Sequence, residues 1–505
     1  MFVKVNSCAN IGLDSELVEV EADITFSEQT AFVIVGLPDA AVQEAKERVG
    51  LSIKNSGYKL PRHRKIVNLA PADLRKEGPC FDLAIAIAIL KTSEQLIAET
   101  NDCVFIGELA LDGTTKHTTG ILPAAIFAKQ NGYKNLFIPA VNAPEASLIS
   151  GINIFPVDNL KQVALHLQNS EKITPVDNKE PENLKHDYNF EVDMAHVQGQ
   201  EQAKRALEIA AAGAHNVLMS GPPGSGKTLL ARTLPSILPA MGEDEILEVT
   251  KVYSIAGLLP KTNPVITQRP FRSPHHTSSG VALVGGGRIP SPGEISLAHR
   301  GILFLDEFPE FQRQVLENLR QPLEDGVISV SRAQGTLSFP ARFTLIASQN
   351  PCPCGYYSDP DKNCVCSPSQ IIKYNNKISG PILDRIDLHI EVPRIDFDKM
   401  QQTGGNEPSE KIRARVEKVH KMQRQRFKDT SIKYNSEMGP QNIRTFCQLD
   451  EQSLELMKSA VNQLHLSARS FHRILKISRT IADLEDSENI TSTHIAEALQ
   501  YRSLR

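Results

Sequence analysis

The chain contains 505 residues, 41% of them hydrophobic and 23% charged, and its formal net charge at pH 7 is -4. This composition is typical of a globular protein, and a prior of about 150 residues per domain predicts three domains. No apolar stretch reaches the roughly 18 residues of a spanning helix and the N-terminus lacks a signal-peptide pattern, so we expect a cytoplasmic protein without membrane contact. The slightly acidic balance gives no general attraction to nucleic acid, so such binding requires local basic patches.

Hydrophobic periodicity divides the chain into three regions. Residues 1–167 alternate short apolar strands with helical runs, which predicts an α/β domain. Residues 168–188 are polar and contain proline, as is typical of a linker. Residues 189–395 predict a second α/β domain, and a second break follows at residues 396–410. Residues 411–505 carry apolar residues at three- and four-residue intervals and are predicted to be helical.

A glycine-rich motif, Gly-Pro-Pro-Gly-Ser-Gly-Lys-Thr at residues 221–228, directly follows an apolar segment. In such a P-loop, backbone N–H groups surround a phosphate, the lysine adds positive charge and the threonine hydroxyl is a ligand of Mg2+. The motif therefore predicts ATP and Mg2+ binding, with Lys227 and Thr228 in these two roles. The predicted nucleotide-binding residues are Gly221, Pro222, Pro223, Gly224, Ser225, Gly226, Lys227, Thr228 and Leu229.

Two inserts that follow the P-loop are candidates for DNA contact. Residues 269–288 are rich in Arg, His, Ser and Gly, whose charge and flexible backbone suit phosphate contacts. Residues 327–339 predict a β-hairpin. The candidate DNA-contacting residues are Arg272, His275, His276 and Arg288 in the first insert and Arg332 in the second. The two histidines could alternatively ligate a metal or act as bases, although a loop role is favoured.

Two further strands end in polar residues suited to phosphoryl transfer. Residues 301–305 form an apolar run followed by Asp306 and Glu307, the Walker B pattern. Asp306 is predicted to hold Mg2+ through water, and Glu307 to orient and deprotonate the attacking water. Taken alone, such a run is equally a strand end before a helix, but its pairing with the P-loop favours the catalytic interpretation. The strand at residues 343–348 leads to Asn350, whose amide is predicted to sense the γ-phosphate.

Four of the eight cysteines are clustered directly after Asn350, as Cys352, Cys354, Cys364 and Cys366. Four thiolates match the ligand count of a structural zinc site. The spacing, Cys-x-Cys twice, is a weaker signal than Cys-x2-Cys, so free thiols in a loop stay open as the alternative. We expect a bound zinc ion to stiffen this loop.

Arginines near the C-terminal end of the second α/β region and on the predicted C-terminal helices are candidates for charge stabilisation. Arg385 is predicted to act in trans as an arginine finger on a neighbouring subunit's nucleotide, or else to form an ion pair with Asp384 or Asp387. Arg469 is the candidate for a second sensor, with Arg473 one turn later as the alternative on the same helical face. The basic segment 411–433 is either a further DNA-contacting patch or the solvated face of an amphipathic helix.

Several longer runs resemble one family. Four runs are similar to the magnesium-chelatase-like AAA+ proteins, and among them to the ComM/YifB family. They are residues 269–277, Arg-Pro-Phe-Arg-Ser-Pro-His-His-Thr, residues 285–287, Gly-Gly-Gly, residues 292–299, Pro-Gly-Glu-Ile-Ser-Leu-Ala-His, and residues 379–387. The resemblance covers essentially the whole chain. It implies an AAA+ P-loop α/β domain with a C-terminal helical lid, in which Asn350 is sensor 1.

The same resemblance implies a function that composition and spacing do not show. It implies a homo-hexameric ATPase, a helicase that acts on single-stranded, double-stranded and branched DNA. Such a motor moves branch points while incoming single strands are recombined during natural transformation, and recombination proteins are possible partners. The alternative is an AAA+ chaperone or metal-chelatase-type motor that remodels a protein partner.

The N-terminal domain resembles an inactive Lon-type protease domain. Residues 74–90 are similar to the segment that presents the serine nucleophile in Lon proteases, and Cys80 stands where that serine would be. Residues 107–123 resemble the stretch that supplies the lysine base, and Leu122 occupies the place of that lysine. A thiol without a base stays mostly protonated. We therefore expect a scaffold rather than a protease.

Overall fold

The computed structural model describes residues 2–25, 30–177, 190–260, 264–287, 290–332, 335–357, 359, 362–394, 406–430 and 432–502. The chain forms two compact units, Met1–Lys185 with Gly242–Thr267, and His186–Met241 with Gln268–Arg505. The predicted α/β class with a helical C-terminal region is confirmed. Among the described helices, none combines the length and the apolar character needed to cross a bilayer.

The first unit is built on a seven-stranded mixed sheet. Its strands, with the two of a small separate hairpin, are β1 (Val3–Ile11), β2 (Asp14–Thr25), β3 (Phe32–Val35), β4 (Arg64–Ala70), β5 (Cys103–Phe105), β6 (Glu108–Leu109), β7 (Thr115–Lys116), β8 (Asn135–Pro139) and β9 (Asn153–Val157). The strand order in the sheet is β3-β4-β2-β1-β5-β8-β9. The pairs β1–β2 and β2–β4 are antiparallel, whereas the pairs β3–β4, β1–β5, β5–β8 and β8–β9 are parallel.

One helix of this unit, Asp82–Thr92, is apolar on all faces and packs on β1 and β2 as the centre of the core. The unit also includes a helix, Glu243–Ala256, that follows the P-loop in sequence. Its Ser254 donates a 2.7 Å hydrogen bond to buried Glu145. Although this helix falls within the interval 189–395, it folds with the first unit. The helices of the first unit are Ala40–Asn55, Asp82–Thr92, Ile121–Gln130, Ala143–Ala146, Leu160–Leu167 and Glu243–Ala256.

The second unit contains a five-stranded parallel sheet. The strands of this unit are β10 (Val217–Ser220), β11 (Phe271–Arg272), β12 (Gly285–Gly286), β13 (Ser291–Pro292), β14 (Ile302–Leu305), β15 (Val327–Arg332), β16 (Gly335–Pro340), β17 (Thr344–Gln349) and β18 (Leu388–Glu391). The strand order in the parallel sheet is β11-β14-β17-β10-β18. The three central strands are continuous apolar runs because both faces of a parallel sheet are covered. Strands β15 and β16 form the predicted hairpin.

The C-terminal helices share one hydrophobic core with the helices that flank the sheet. Asp483 joins Arg426, at 2.6 Å, and Arg479, at 2.9 Å, in a buried ion-pair network inside this region. The helices of the second unit are Glu201–Gly213, Lys227–Ile237, Gly280–Val284, Glu294–Leu297, Arg313–Glu317, Arg320–Asp325, Pro368–Asn375, Gly380–Leu383, Ser409–Arg426, Pro440–Phe446, Glu451–Leu464, Ala468–Leu484 and Ser492–Gln500.

Candidate active site

The P-loop connects the carboxyl end of β10 to the helix Lys227–Ile237, whose N-terminus faces the loop. Backbone N–H groups and the helix dipole make such an end an anion site. Two of its glycines are required by geometry. A Cβ on Gly221 would lie 2.1 Å from the carbonyl oxygen of Val392, and Gly226 has a φ of 91°. The local fold is therefore the strand, loop and helix that the motif requires.

Lys227 lies inside this loop. Its Nζ donates to the carbonyl oxygens of Gly221, at 2.6 Å, and Pro222, at 2.9 Å, and to Oδ1 of Asn350 at 3.3 Å. Burial lowers the pKa of Lys227 to about 8, against an opposing effect of Asp306. The predicted phosphate-binding lysine and the predicted sensor amide are thus brought together, although 123 positions separate them in the chain.

Thr228 and Asp306 form the second contact of the site. Thr228 Oγ1 donates a 2.9 Å hydrogen bond to Oδ2 of Asp306. Ser348 donates to Oδ1 of the same carboxylate, and the backbone N–H of Glu307 donates to it at 3.0 Å. A hydroxyl and a carboxylate facing each other are oxygen ligands of the kind that Mg2+ prefers. These two residues would hold the ion, which supplies charge for the phosphoryl oxygens.

Glu307 follows Asp306 in a left-handed conformation with a φ of 53°, which is rare outside glycine. Its half-exposed carboxylate lies 3.1 Å from Nδ1 of His276. His276 in turn packs against His275, with ring centroids 4.2 Å apart, and forms a T-shaped contact with Phe311. The structure therefore joins the predicted catalytic base to a residue that the sequence predicted as a DNA contact.

The cysteine cluster lies beside the P-loop. A Cβ on Gly355 would come within 2.6 Å of Cδ of Pro223, so the cysteine loop packs directly on the phosphate loop. The Sγ atoms of Cys352, Cys354 and Cys364 are 3.3 to 3.7 Å apart. The four ligand atoms of the cluster, Cys366 included, lie within 4.8 Å of one another. Tetrahedral zinc with Zn–S bonds of about 2.3 Å places its sulfurs about 3.8 Å apart, so the donor set fits this metal.

One thiol of this cluster is predisposed to ionise. A hydrogen bond from the Tyr356 backbone is the largest of the effects that lower the pKa of Cys354 to about 6. Thiolate is the form that binds metal.

The candidate arginines lie at the opposite edge of the sheet. Arg385 contacts Glu324 and donates to the carbonyl oxygen of Pro381 at 2.6 Å, while Arg469 lies 3.2 Å from Glu324. Hydrogen bonding to Arg385 is the main cause that lowers the pKa of Glu324. The sequence left open an ion pair of Arg385 with Asp384 or Asp387. In the structure, Arg385 pairs with Glu324 instead.

Arg473 has a different environment. It is buried and donates to the carbonyl oxygens of Ile386, at 2.7 Å, and Asp384, at 2.9 Å. These backbone bonds give Arg473 a structural role, which leaves Arg469 as the more accessible of the two sensor candidates.

A cavity of about 830 Å³ lies beside these arginines. Its lining includes Asn216, Gly301, Phe343 and Asp387, each of which directly precedes one of the parallel strands. The arginine cavity is therefore at the amino edge of the sheet, whereas Lys227 and Asp306 are at the carboxyl edge.

The candidate DNA-contacting residues have mixed environments. Arg272 forms a two-pronged ion pair with Glu294, with both N···O distances 2.6 Å. His275 accepts or donates a 2.9 Å hydrogen bond with Thr277. Arg288 lies outside the described residues. Arg332 ends strand β15 at the hairpin turn, and its side chain is also outside the described part.

Part of the basic segment 411–433 is engaged within its own chain. Arg415 lies 2.6 Å from Glu208, Lys418 contacts Asp486, and Arg426 is held by Asp483. These ion pairs favour a structural helix face for that part of the segment.

Cys80 and Leu122 of the first unit also have defined surroundings. Burial raises the pKa of the Cys80 thiol, and its Sγ lies 3.9 Å from the carbonyl oxygen of Glu77. Leu122 is fully buried in the helix Ile121–Gln130. A thiol kept protonated is a poor nucleophile.

A P-loop, a Walker B carboxylate pair and a sensor amide converging at one edge of a parallel sheet define a P-loop ATPase of the AAA+ class. Family comparisons agree with this geometry. Residues 193–400 match the family described as magnesium chelatase, subunit ChlI, residues 20–142 match the subunit ChlI of Mg-chelatase, and residues 406–502 match the ChlI C-terminal family.

Full-length relatives are found as well. The chain is 45% identical to competence protein ComM of Haemophilus influenzae over 507 residues, covering 99% of this chain and 97% of the relative. It is 41% identical to YifB of Escherichia coli over 505 residues, with the same shares covered. The DNA replication licensing factor Mcm2 of Drosophila melanogaster is 23% identical over 60% of this chain and 34% of its own length. The chain belongs to the ComM/YifB family of magnesium-chelatase-like AAA+ ATPases.

Proposed function

We propose that this protein is a hexameric ATP-driven DNA translocase that promotes branch migration while incoming single-stranded DNA is recombined in natural transformation. The similarity to a competence protein over 99% of the chain supports this role, and the weaker similarity to a DNA replication factor supports DNA as the substrate. Because ATP is its fuel, we place this motor in the cytoplasm.

The single observation that carries the proposed ring is the separation of the arginines from the P-loop. A β-strand rises about 3.3 Å per residue, so the four residues of β14 span about 13 Å. The arginines and the P-loop lie at opposite ends of the strands. An arginine at the amino edge cannot fold back to a phosphate at the carboxyl edge of its own sheet. Arg385 and Arg469 therefore suit a nucleotide held by a second copy of the chain, and a closed ring gives every P-loop such a neighbour.

ATP turnover measured in parallel with single-stranded, double-stranded and branched DNA tests the substrate. We expect DNA to stimulate turnover, and we expect the protein to move a labelled branch point only when ATP is hydrolysed. Turnover that ignores all three DNA forms would contradict the proposal.

A mixing experiment tests the ring. Lys227→Ala and Arg385→Ala proteins are each expected to be inactive alone, because one lacks the phosphate lysine and the other the arginine. In randomly mixed rings, about one quarter of the interfaces pair an intact P-loop with an intact arginine, so turnover should reappear. An inactive mixture, with co-assembly verified by a tag on one variant, would show that Arg385 serves its own nucleotide.

We also propose that the four clustered cysteines hold one structural zinc ion. The sulfur distances and the packing of Gly355 against Pro223 support a metal that holds the cysteine loop against the P-loop. Metal analysis after extensive dialysis should find about one zinc per chain.

A motor that remodels a protein partner is the second candidate function. The matches to magnesium chelatase subunit ChlI over three parts of the chain favour it. In that case ATP turnover responds to a protein client and is indifferent to DNA, so the same turnover assay separates the two functions.

A further inference from the structure

A basic loop of the first unit belongs to none of the ATPase motifs. Residues 49–72 contain five Lys and Arg residues and no Asp or Glu, although the whole chain has a net charge of -4. All five cations lie within residues 54–65, the basic loop, where the chain passes from the helix Ala40–Asn55 to β4. They are Lys54, Lys59, Arg62, Arg64 and Lys65.

Lys65 holds the backbone of the basic loop from inside. It is 3% exposed, and its Nζ donates to the carbonyl oxygens of Pro61, at 2.8 Å, and His63, at 3.0 Å. In the part of the chain that the structure describes, Lys65 forms no ion pair with a carboxylate. Burial lowers the pKa of Lys65, and the nearby charge of Lys54 lowers it further. A cation therefore organises this loop without neutralising it.

Two further sets of contacts fix the start and the middle of the loop. The preceding helix ends at Gly57, whose φ is 91°, and the N–H groups of Gly57 and Tyr58 return to carbonyl oxygens of the last helical turn at 3.1 Å. The side chain of Gln95 accepts the backbone N–H of Lys59 at 2.7 Å and donates to its carbonyl oxygen at 2.7 Å. The backbone is thus defined before any ligand binds, which lowers the entropic cost of binding.

The other four cations of the loop are exposed, and among the described residues none of them forms an ion pair. They are Lys54, Lys59, Arg62 and Arg64. In the basic segment 411–433, by contrast, Arg415 and Arg426 are each paired with a carboxylate of the same chain. A phosphate that reaches the basic loop displaces counterions from solution and not a carboxylate, and such counterion release is a main source of affinity for a nucleic-acid backbone.

The side chains of the loop suit phosphates better than base edges. Ammonium and guanidinium groups are the usual donors to phosphate oxygens, and such contacts carry no sequence information. Stacking on bases requires exposed aromatic rings, and Tyr58, the one Phe, Tyr or Trp of the loop, is partly buried. The ligand that fits this surface is a polyanion with regularly repeated phosphates.

We propose that the basic loop of the first unit binds the phosphate backbone of DNA without reading its sequence. The inference rests on the proposed DNA-dependent function, and it adds a DNA contact outside the ATPase unit. The domain that resembles an inactive protease is then a DNA-holding part of the motor and not a scaffold alone.

Fluorescence anisotropy of a labelled single-stranded oligonucleotide, titrated with the full-length protein at several salt concentrations, tests this contact. Each cation that meets a phosphate of a single strand adds about 0.7 to the slope of log Kd against log salt concentration. Neutralising the four exposed cations should therefore lower this slope by up to about 3 and weaken binding about tenfold or more at low salt. The fourfold variant carries Lys54→Gln, Lys59→Gln, Arg62→Gln and Arg64→Gln.

A twofold variant with Lys54→Gln and Arg62→Gln should lose about half of that slope, and it provides a second test if the fourfold variant folds poorly. Oligonucleotides of different sequence should show the same loss, because only the backbone is bound.

The matched control neutralises four exposed lysines elsewhere in the first unit, so that net charge changes equally. It carries Lys116→Gln, Lys129→Gln, Lys134→Gln and Lys161→Gln, and its slope should stay near that of the wild type. An unchanged slope in the fourfold loop variant, or an equal loss in the control, would overturn the basic loop as a DNA contact while the proposed function stands.

Two other results would overturn the proposal in different ways. If the loop variant loses binding to vesicles of phosphatidylserine and phosphatidylcholine while its DNA binding is unchanged, the loop serves a membrane surface. If the wild type binds neither single-stranded nor double-stranded DNA, the proposed function falls together with the inference that rests on it.

Discussion

The two edges of the five-stranded sheet hold their polar groups in different ways. At the carboxyl edge, Lys227 is buried and bonded to loop carbonyls, and Thr228 is bonded to Asp306. At the amino edge, Arg385 and Arg469 are long side chains that share the exposed carboxylate of Glu324. Buried Lys227 is held in one position by these bonds, whereas half-exposed Arg469 can exchange partners at small cost. The carboxyl edge is thus a fixed receptor for phosphate, and the amino edge is an adaptable source of positive charge.

The largest expected effect is the loss of charge at the amino edge. Arg385→Ala should lower ATP turnover by about 10³-fold, the scale of an arginine finger, while ATP binding persists because the P-loop is untouched. Turnover and binding of a fluorescent ATP analogue measure the two separately. Arg320→Ala removes an exposed ion pair with Glu317 and should leave turnover near the wild-type rate. A comparable loss of turnover in both variants would contradict a special role of Arg385 at the amino edge.

Next in size is the loss of the base at the carboxyl edge. Glu307→Gln keeps the shape of the side chain but cannot accept a proton, so we expect turnover to fall by about 10²-fold or more with ATP affinity retained. Single-turnover kinetics would locate the loss in the chemical step. Glu310→Gln, in the adjoining turn, is the matched control. A variant at Glu307 that turns over ATP within a few-fold of the wild-type rate would assign the base to another group.

A smaller effect should follow removal of the metal. Cys364→Ser should lose the zinc and weaken ATP binding about tenfold, because the cysteine loop would no longer hold Pro223 and Asn350 in place. Metal content and ATP affinity are measured on the same sample. Cys103→Ser, in the first unit, should leave the metal content unchanged. Zinc loss without any change in ATP affinity would show that the cysteine loop does not support ATP binding at the carboxyl edge.

The smallest effect concerns a single methyl group. Gly355→Ala should cost about 1–2 kcal/mol of stability from its φ of 85°, and it should also weaken ATP binding a few-fold through the clash with Pro223. Gly132→Ala carries a similar conformational strain, with a φ of 77°, but its new Cβ would meet no described atom within 4 Å. Equal ATP affinity in the two variants would contradict the contact between the loops.

Sequence motifs and strand geometry coincide at the carboxyl edge. One buried strand ends in the P-loop, and two others lead to Asp306 and Asn350. Because the carboxyl ends of parallel strands lie at the same edge of a sheet, the P-loop, Asp306 and Asn350 come together there. The folds of both α/β regions and the hairpin also followed from hydrophobic periodicity.

Other features could not be predicted from one sequence. Glu324 is the shared partner of Arg385 and Arg469, and His276 is the partner of Glu307. These are long-range contacts between side chains, and no local sequence pattern predicts them. The assignment of Gly242–Thr267 to the first unit depends on packing against distant strands and helices, which periodicity within the segment does not reveal.

That assignment has a consequence for how the chain is made. The first unit needs the helix Glu243–Ala256, whose Ser254 bonds to Glu145 and accepts the backbone N–H of Gly120 at 3.1 Å. On a ribosome, residues 1–185 emerge before this helix. The strand and the helix on either side of the P-loop also emerge before the first unit is complete. We therefore expect the first unit to reach its final packing, with Ser254 bonded to Glu145, only after translation has passed residue 267. We expect a protein shortened at the linker to lack this packing.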